Sequence, residues 1–477
     1  MFSNHTRWKP FRRLFNYSLV TATLLALLPV DATGATLAVG PGQPYALPCA
    51  AIAAAAPGDS ITISGGAVYS GDACVVSTSN LIIRGINGRP RIDAAGANAQ
   101  GKGTWVIAGD NVTIDNVEMS GASVPDQNGA ALRLEGTHFT LRNSYLHNNE
   151  NGILSTDNSA SRVVIETSEF GYNGYGTGFT HNVYIGNVAS LVFRGNFSHD
   201  ANVGHNLKSR AQVNTVSYNR FSSTADGQAG KPSYEIDLPN AGTSYVIGNV
   251  IQQPPGNANP ALLAYGEEGA TNAAHDLYVV NNTFLNDDTA RGTFVLVGAG
   301  VDTPVLLQNN IFGGTGTLVT QSNAVERTNF RSAAPGFVDR ANYDLHPTPN
   351  PLVVNAGSAP GVSTGGASLI PDAQYRHVAS IEPRVISGAI DIGAYEATTQ
   401  PTDPDPVGRW ITCSSEGGIC KFNGTAEVRY GANNSFYTLK AANTIACNNA
   451  VFGDPIVGVP KKCQYRAAGT GGPFVPL

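Results

Sequence analysis

Three short segments between His181 and Pro239 bring together residue types that could perform chemistry on an acidic sugar. They read His181-Asn-Val-Tyr-Ile-Gly186, His205-Asn-Leu-Lys-Ser-Arg-Ala211 and Tyr234-Glu-Ile-Asp-Leu-Pro239. Apolar residues recur at every second place, and alternate side chains of a strand point to opposite faces. With Val183, Ile185, Leu207, Ile236 and Leu238 inward, the outward set is Asn182, Tyr184, Asn206, Lys208, Arg210, Glu235 and Asp237. Register on the inward residues puts Tyr184, Lys208 and Asp237 in one column, about 4.8 Å from strand to strand. Asn182, Asn206 and Glu235 form the column before it, and Arg210 lies just beyond.

Such a patch suits β-elimination from a uronic-acid polymer. The C5 proton is weakly acidic, so the site must neutralise the adjacent carboxylate, supply a base and protonate the departing oxygen. Lys208 is the candidate base: neighbouring Arg210 would push its ammonium pKa down, while Asp237 would push it up. Arg210 would grip the substrate carboxylate as a two-point fork, and Tyr184 would donate the proton. His205 and His181 take the inward parity and reach the site only from a strand end. Glu235, Asp237, Glu267 and Glu268 are available as oxygen ligands for calcium, although no compact Asp-x-Asp loop is present. The same acids would serve a glycoside hydrolase. The plainest alternative is a ladder of paired charges covering a sheet.

These segments need a scaffold that stacks them side by side, and a repeat supplies it. Strands ending in a turn that usually contains Asn recur at Val112–Asn116, Phe139–Asn143, Val163–Thr167, Leu191–Gly195, Val216–Asn219, Tyr245–Asn249, Tyr278–Asn282 and Leu306–Asn310, with a period of 24 to 33 residues. Units this short bury no core of their own and must stack on their neighbours. Strand alternation without intervening helix-length amphipathic runs predicts an all-β fold, a parallel β-helix of roughly ten coils. Asn116, Asn143, Asn219, Asn249, Asn282 and Asn310 are expected along one turn, as a ladder of side-chain amides that satisfies turn backbone.

The opening stretch Ala53-Ala-Ala-Ala-Pro-Gly-Asp-Ser-Ile-Thr-Ile-Ser64 and the closing stretch Asp391-Ile-Gly-Ala-Tyr-Glu396 resemble the ends of secreted right-handed parallel β-helix proteins of the pectate-lyase-like superfamily. The resemblance spans residues 36–397. It implies an N-terminal capping helix at the Ala-rich stretch, followed by a first strand at Ser60–Ser64. Lyases of this group carry Lys and Arg on exposed strand positions, often with calcium. The fold also hosts hydrolases, epimerases and adhesins, so a uronate epimerase or a non-catalytic polysaccharide-binding protein remains an alternative.

Residues 398–408 are Pro-rich and form a semi-extended linker. Residues 409–477 are too few to be stable on core alone, a want that disulfides remedy. The pattern Trp410-x-x-Cys413, Gly417-Gly-Ile-Cys420, Val428-Arg-Tyr-Gly431 and Phe452-Gly-Asp-Pro455 resembles small Cys-rich β modules of secreted carbohydrate-active proteins. Trp410, Tyr430 and Tyr437 are either sugar platforms or the module's core. Cys49 and Cys74 pair off at the front; Cys413, Cys420, Cys447 and Cys463 allow three connectivities at the back.

Arg7, Lys9, Arg12 and Arg13 precede the uncharged run from Leu19 to Val30, so residues 1–35 read as a secretory signal peptide. No later stretch approaches membrane-spanning length, and an even cysteine count fits an oxidising compartment. The protein is therefore expected to be secreted, off the membrane once the signal is removed, and monomeric. Charged residues make up 13% of the chain against a usual ~25%. A net charge of −6 with no basic cluster in the body argues against nucleic acid as partner and leaves a polysaccharide, anionic at the site, as the expected one.

Overall fold

The computed structural model describes residues 34–223, 232–350, 352–397, 410–433 and 435–467. The expected signal peptide, apart from its last two residues, and the linker at 398–408 lie outside these.

Each turn of the chain contributes one short strand to each of three parallel sheets, of twelve, eleven and ten strands. One coil reads Leu207–Ser209 in the ten-stranded sheet, Val213–Ser217 in the twelve-stranded sheet and Arg220–Ser222 in the eleven-stranded sheet. The alternation that predicts strands also builds the core. Ile61, Ile83, Ile114, Leu141, Ile165, Phe193, Val216, Val246, Val279 and Leu307 are partners in register from coil to coil, and all are fully buried. Each such side chain contributes roughly 1.5–3 kcal/mol. The column is continuous, so the coils cannot slip relative to one another without exposing it.

The polar ladder lies at the corner between the twelve- and eleven-stranded sheets. Asn196, Asn219, Asn249, Asn282, Asn310 and Asn329 each receive on the side-chain oxygen both the backbone N–H and the amide N–H of the preceding asparagine, where there is one, at 2.8–3.2 Å. Ser144 and Ser168 continue the series toward the N-terminus, because Ser168 donates its N–H to Asn196. Asn116 and Asn143 do not belong to it. They sit one place earlier in the same turn, in the left-handed conformation (φ 58° and 52°) that asparagine tolerates.

The first coil is capped by the helix Pro48–Ala54, which buries Ala51 and Ile52 over the open end. It begins earlier than the Ala-rich stretch suggests and stops before Pro57, which disfavours helical backbone at the residue preceding it. The Cys49–Cys74 disulfide ties this helix to the first strand of the ten-stranded sheet. Residues 337–397 fold back along the flank: Tyr375 and Tyr395 pack with Phe197, Val250 and Leu285. The closing stretch therefore does not cover the last coil, for Ala394 hydrogen-bonds to Thr283 and Gly393 to Asn309.

Residues 410–467 form a four-stranded antiparallel sheet with disulfides Cys413–Cys420 and Cys447–Cys463, one of the three possible pairings. Tyr430 is buried in its core with Val428 and Phe452, whereas Tyr437 is exposed.

Candidate active site

The ten-stranded sheet brings the three segments together as consecutive strands, Val183–Ile185, Leu207–Ser209 and Ile236–Leu238, followed by Ala261–Tyr265. Tyr184, Lys208 and Asp237 are partners in one column. Two acids join them from the end of the next strand. Gly266 turns the chain there with φ +72°, and a Cβ on it would lie 2.5 Å from Val301, so Glu267 and Glu268 are delivered to the site by a residue only glycine satisfies.

Lys208 Nζ lies 2.7 Å from Asp237 and 2.6 Å from Glu268. Arg210 reaches Glu268 at 2.5 Å, donates from Nε to the Tyr184 hydroxyl at 2.9 Å and from Nη1 to Asn240 at 2.5 Å. Because Tyr184 accepts from Arg210, its own proton is free for another acceptor. Burial works to lower the Lys208 pKa, but Asp237 and Glu268 outweigh it and raise it. Lys208 rests as an ammonium: of the two opposed influences the carboxylates prevail, because they are closer and Arg210 is turned toward Glu268 and Tyr184. Burial likewise works to raise Glu268, and the hydrogen bonds of Lys208 and Arg210 reverse it. Glu267 is pushed up to about 9 by burial and by neighbouring Asp237.

His181, His205 and Tyr234 form a stack along the strand starts, with ring centres 4.8 and 5.1 Å apart. They do not take the inward parity, because they precede the strands and alternation does not govern them. Each imidazole accepts on Nδ1 the backbone N–H of the next coil, His205 N to His181 and Tyr234 N to His205, both at 3.0 Å. This leaves the proton on Nε2, and His205 Nε2 lies 3.3 Å from Asp237. Burial, with Lys208 and Arg210 nearby, holds the His181 pKa down to about 3, and His205 is also lowered. Both imidazoles are neutral and position Asp237 and the strand starts.

The column Asn182, Asn206 and Glu235 is a correction. All three are fully buried rather than outward, because the corner before each strand turns these side chains under the sheet. Asn149, Asn173, Asn182 and Asn206 form a second amide relay that ends on Glu235, which Asn206 and Asn257 contact at 2.5 and 3.4 Å. Burial pushes the Glu235 pKa up to about 8. The outward set on the strands is thus Tyr184, Lys208 and Asp237, extended by Arg210 and Glu268. His147 and His199 belong to the eleven-stranded sheet, away from Lys208. Asn240 and Tyr234 were not anticipated; the Pro239-Asn240 pair marks a turn just past the strand and is the one signal for Asn240.

Asp237, Glu267 and Glu268 offer oxygens within 4.8 Å of one another. Asp237 Oδ1 and Glu267 Oε2 are buried, and the two side chains hydrogen-bond to each other through the proton that Glu267 keeps. An all-carboxylate set in which two buried members share a proton that a cation would displace fits a hard divalent ion such as calcium.

No family model matches the chain. A solved structure, pectate lyase Pel9A, superposes with a TM-score of 0.54 at 17% identity, covering 77% of this chain and 97% of that one. The likeness establishes the fold. Pectin methylesterase PemA from Erwinia chrysanthemi gives a TM-score of 0.34 at 10% identity over 61% of this chain and 92% of that one. In sequence, an uncharacterized protein of Acanthamoeba polyphaga mimivirus is 36% identical over 70 residues, 14% of this chain and 32% of that relative. The chain thus spans about a third of that relative's length.

Proposed function

We propose that the cleft on the ten-stranded sheet cleaves a uronate-containing polysaccharide by β-elimination, with secretion bringing the protein to its polymer. The observation that carries this reading is the joint placement of Lys208, Arg210 and Tyr184, a base candidate, a carboxylate fork and a proton donor on adjacent strands. Arg210 exchanges Glu268 for the substrate carboxylate and stabilises the charge that develops there. Lys208, once it has lost a proton, takes the C5 proton; the C4–O bond breaks, a C4=C5 double bond forms, and Tyr184 protonates the departing oxygen. A calcium ion held by Asp237, Glu267 and Glu268 would add positive charge against the substrate carboxylate. The neighbour's name makes polygalacturonate the first polymer to test.

The raised Glu267 beside the lowered Glu268 favours a second reading, a hydrolase with one acid and one base. Their nearest oxygens, within 4.8 Å, are closer than the roughly 6.5–9.5 Å carboxyl spacing of inverting glycosidases.

Purified protein should release unsaturated, ultraviolet-absorbing ends from polyuronates, with a rate that rises toward alkaline pH because the base must shed a proton from a raised pKa. Lys208→Ala should abolish release. Arg210→Lys should be severe despite keeping the charge. Lys208 is buried beside Asp237, so its loss also costs stability, about 3–5 kcal/mol, and folding must be checked by circular dichroism. Saturated reducing ends alone would decide for hydrolysis; unsaturated product from a folded Lys208→Ala protein would refute the assignment of the base.

A further inference from the structure

The charge of the chain is unevenly divided. Residues 409–477 hold seven Lys and Arg (Arg409, Lys421, Arg429, Lys440, Lys461, Lys462, Arg466) against three acids (Glu416, Glu427, Asp454), a net +4, while the whole chain is −6, which leaves −10 on residues 1–408. A body of net negative charge repels a polyanion at long range, and the cleft does not offset this, because Lys208 and Arg210 are balanced there by Asp237 and Glu268.

Strand pairing gathers four of the tail's seven cations on one face. The strand Ile419–Ala432 lies between Lys462–Ala467 and Ser435–Ala446. Arg429 is paired with Gln464 on one side and Thr438 on the other, Glu427 with Arg466 and Lys440, and Gly431 with Lys462 and Phe436. Val428 and Tyr430 alternate with these and fill the core on the opposite face. The face therefore presents Arg429, Lys440, Lys462 and Arg466 with Glu427 as its acid.

Arg429 is the distinctive member. Its guanidinium carbon lies over the rings of Trp410 and Phe436, 4.6 and 4.2 Å from their centres, and its Nε donates to Gln464 at 2.9 Å. Among the described residues it has no carboxylate partner, whereas Arg466, on the same Trp410 ring, is paired with Glu427 at 2.7 Å. Contact with the two rings and the bond to Gln464 restrain Arg429 and leave its charge uncompensated beside a hollow of about 520 Å³ lined by Asn433, Phe436, Pro460, Lys462 and Gln464. A planar, pre-oriented guanidinium with an exposed ammonium and amide groups around it suits carboxylates spaced along a sugar chain.

We infer that this face of the C-terminal sheet binds an anionic, carboxylate-bearing polysaccharide and holds it near the acidic body. The inference rests on the proposed function only for the acidity of the polymer, and binding is measured without turnover.

The full-length protein is passed over immobilised polygalacturonate, immobilised neutral galactan and a single-stranded DNA column. Selective retention on polygalacturonate is expected, falling steeply between about 0.05 M and about 0.5 M salt. Arg429→Ala should weaken it by about tenfold or more, as loss of one charge-assisted carboxylate contact does. Lys462→Glu, at an exposed side chain, should weaken it without disturbing the fold. Release of unsaturated ends from short soluble oligouronates should be unchanged in both variants. Equal retention on galactan, stronger retention on DNA, or unaltered binding by a folded Lys462→Glu protein would overturn the inference. Retention that depends on Arg429 in a protein releasing no unsaturated product would sustain it while refuting the lyase.

Discussion

Replacing Glu235 with glutamine tests whether the site sheet is undercut by a neutral acid. Glu235 is fully enclosed, and among the described residues the amides of Asn206 and Asn257 lie against its oxygens. Its pKa of about 8 lies well above the usual 4.5. Unfolded chains release this proton from about pH 4.5 upward while the folded protein keeps it to about pH 8. In that window the native state binds more protons, so stability must fall as pH rises, and the fall ends above the folded pKa. At roughly 1.4 kcal/mol per unit, the shift amounts to roughly 4–5 kcal/mol. Glutamine carries no charge and should escape this loss. It also has a place for its amide: Asn257 Oδ1 is buried without a partner among the described residues and accepts a hydrogen bond from that amide once the Asn257 side chain is turned over. Urea unfolding of both proteins at about pH 5 and about pH 9 reads the difference directly. Near-equal midpoints at the lower pH and a clear advantage for Glu235→Gln at the higher one are expected. Parallel pH dependence in the two proteins would refute the claim that Glu235 is protonated in the native state.

Two further outcomes concern the scaffold. Asn249→Ala removes the acceptor for two donors of Asn219 and the donor to Val216 and Asn282, so it should destabilise by about 2–4 kcal/mol in thermal unfolding, beyond what an exposed asparagine would cost. Cys49→Ser with Cys74→Ser opens the link between cap and first sheet across 25 residues and should cost about 3 kcal/mol, read as lowered thermal midpoint and faster proteolysis of the N-terminal coils.

The fold was legible because its governing signal is periodic: the inward residues of each strand recur in every coil, and the register they imply for Tyr184, Lys208 and Asp237 is the register found. Reading failed where period two stops. Asn182, Asn206, Glu235, His181 and His205 stand just before their strands, where the corner between sheets and not the pleat sets direction. Asn196 stands one residue past the repeat read at Leu191–Gly195, and Asn329 belongs to the coil after Val325–Arg327, beyond the last repeat at Leu306–Asn310. Ion pairing inside the cleft was beyond sequence for another reason: Glu268 meets Lys208 across 60 residues, through a turn at Gly266 that only coordinates reveal.

The asparagine ladder at the sheet corner has a direction. In every rung the earlier residue donates and the later one accepts, as from Asn219 to Asn249 and from Asn249 to Asn282. From Asn196 onward a chain made from its N-terminus therefore finishes a coil with two N–H groups awaiting an oxygen that has not yet been synthesised. The growing front is a donor surface, and the oxygen that quenches it arrives with the next coil in line. Such a front is satisfied one coil at a time, and a coil that lacks the acceptor leaves two donors of its predecessor unpaired.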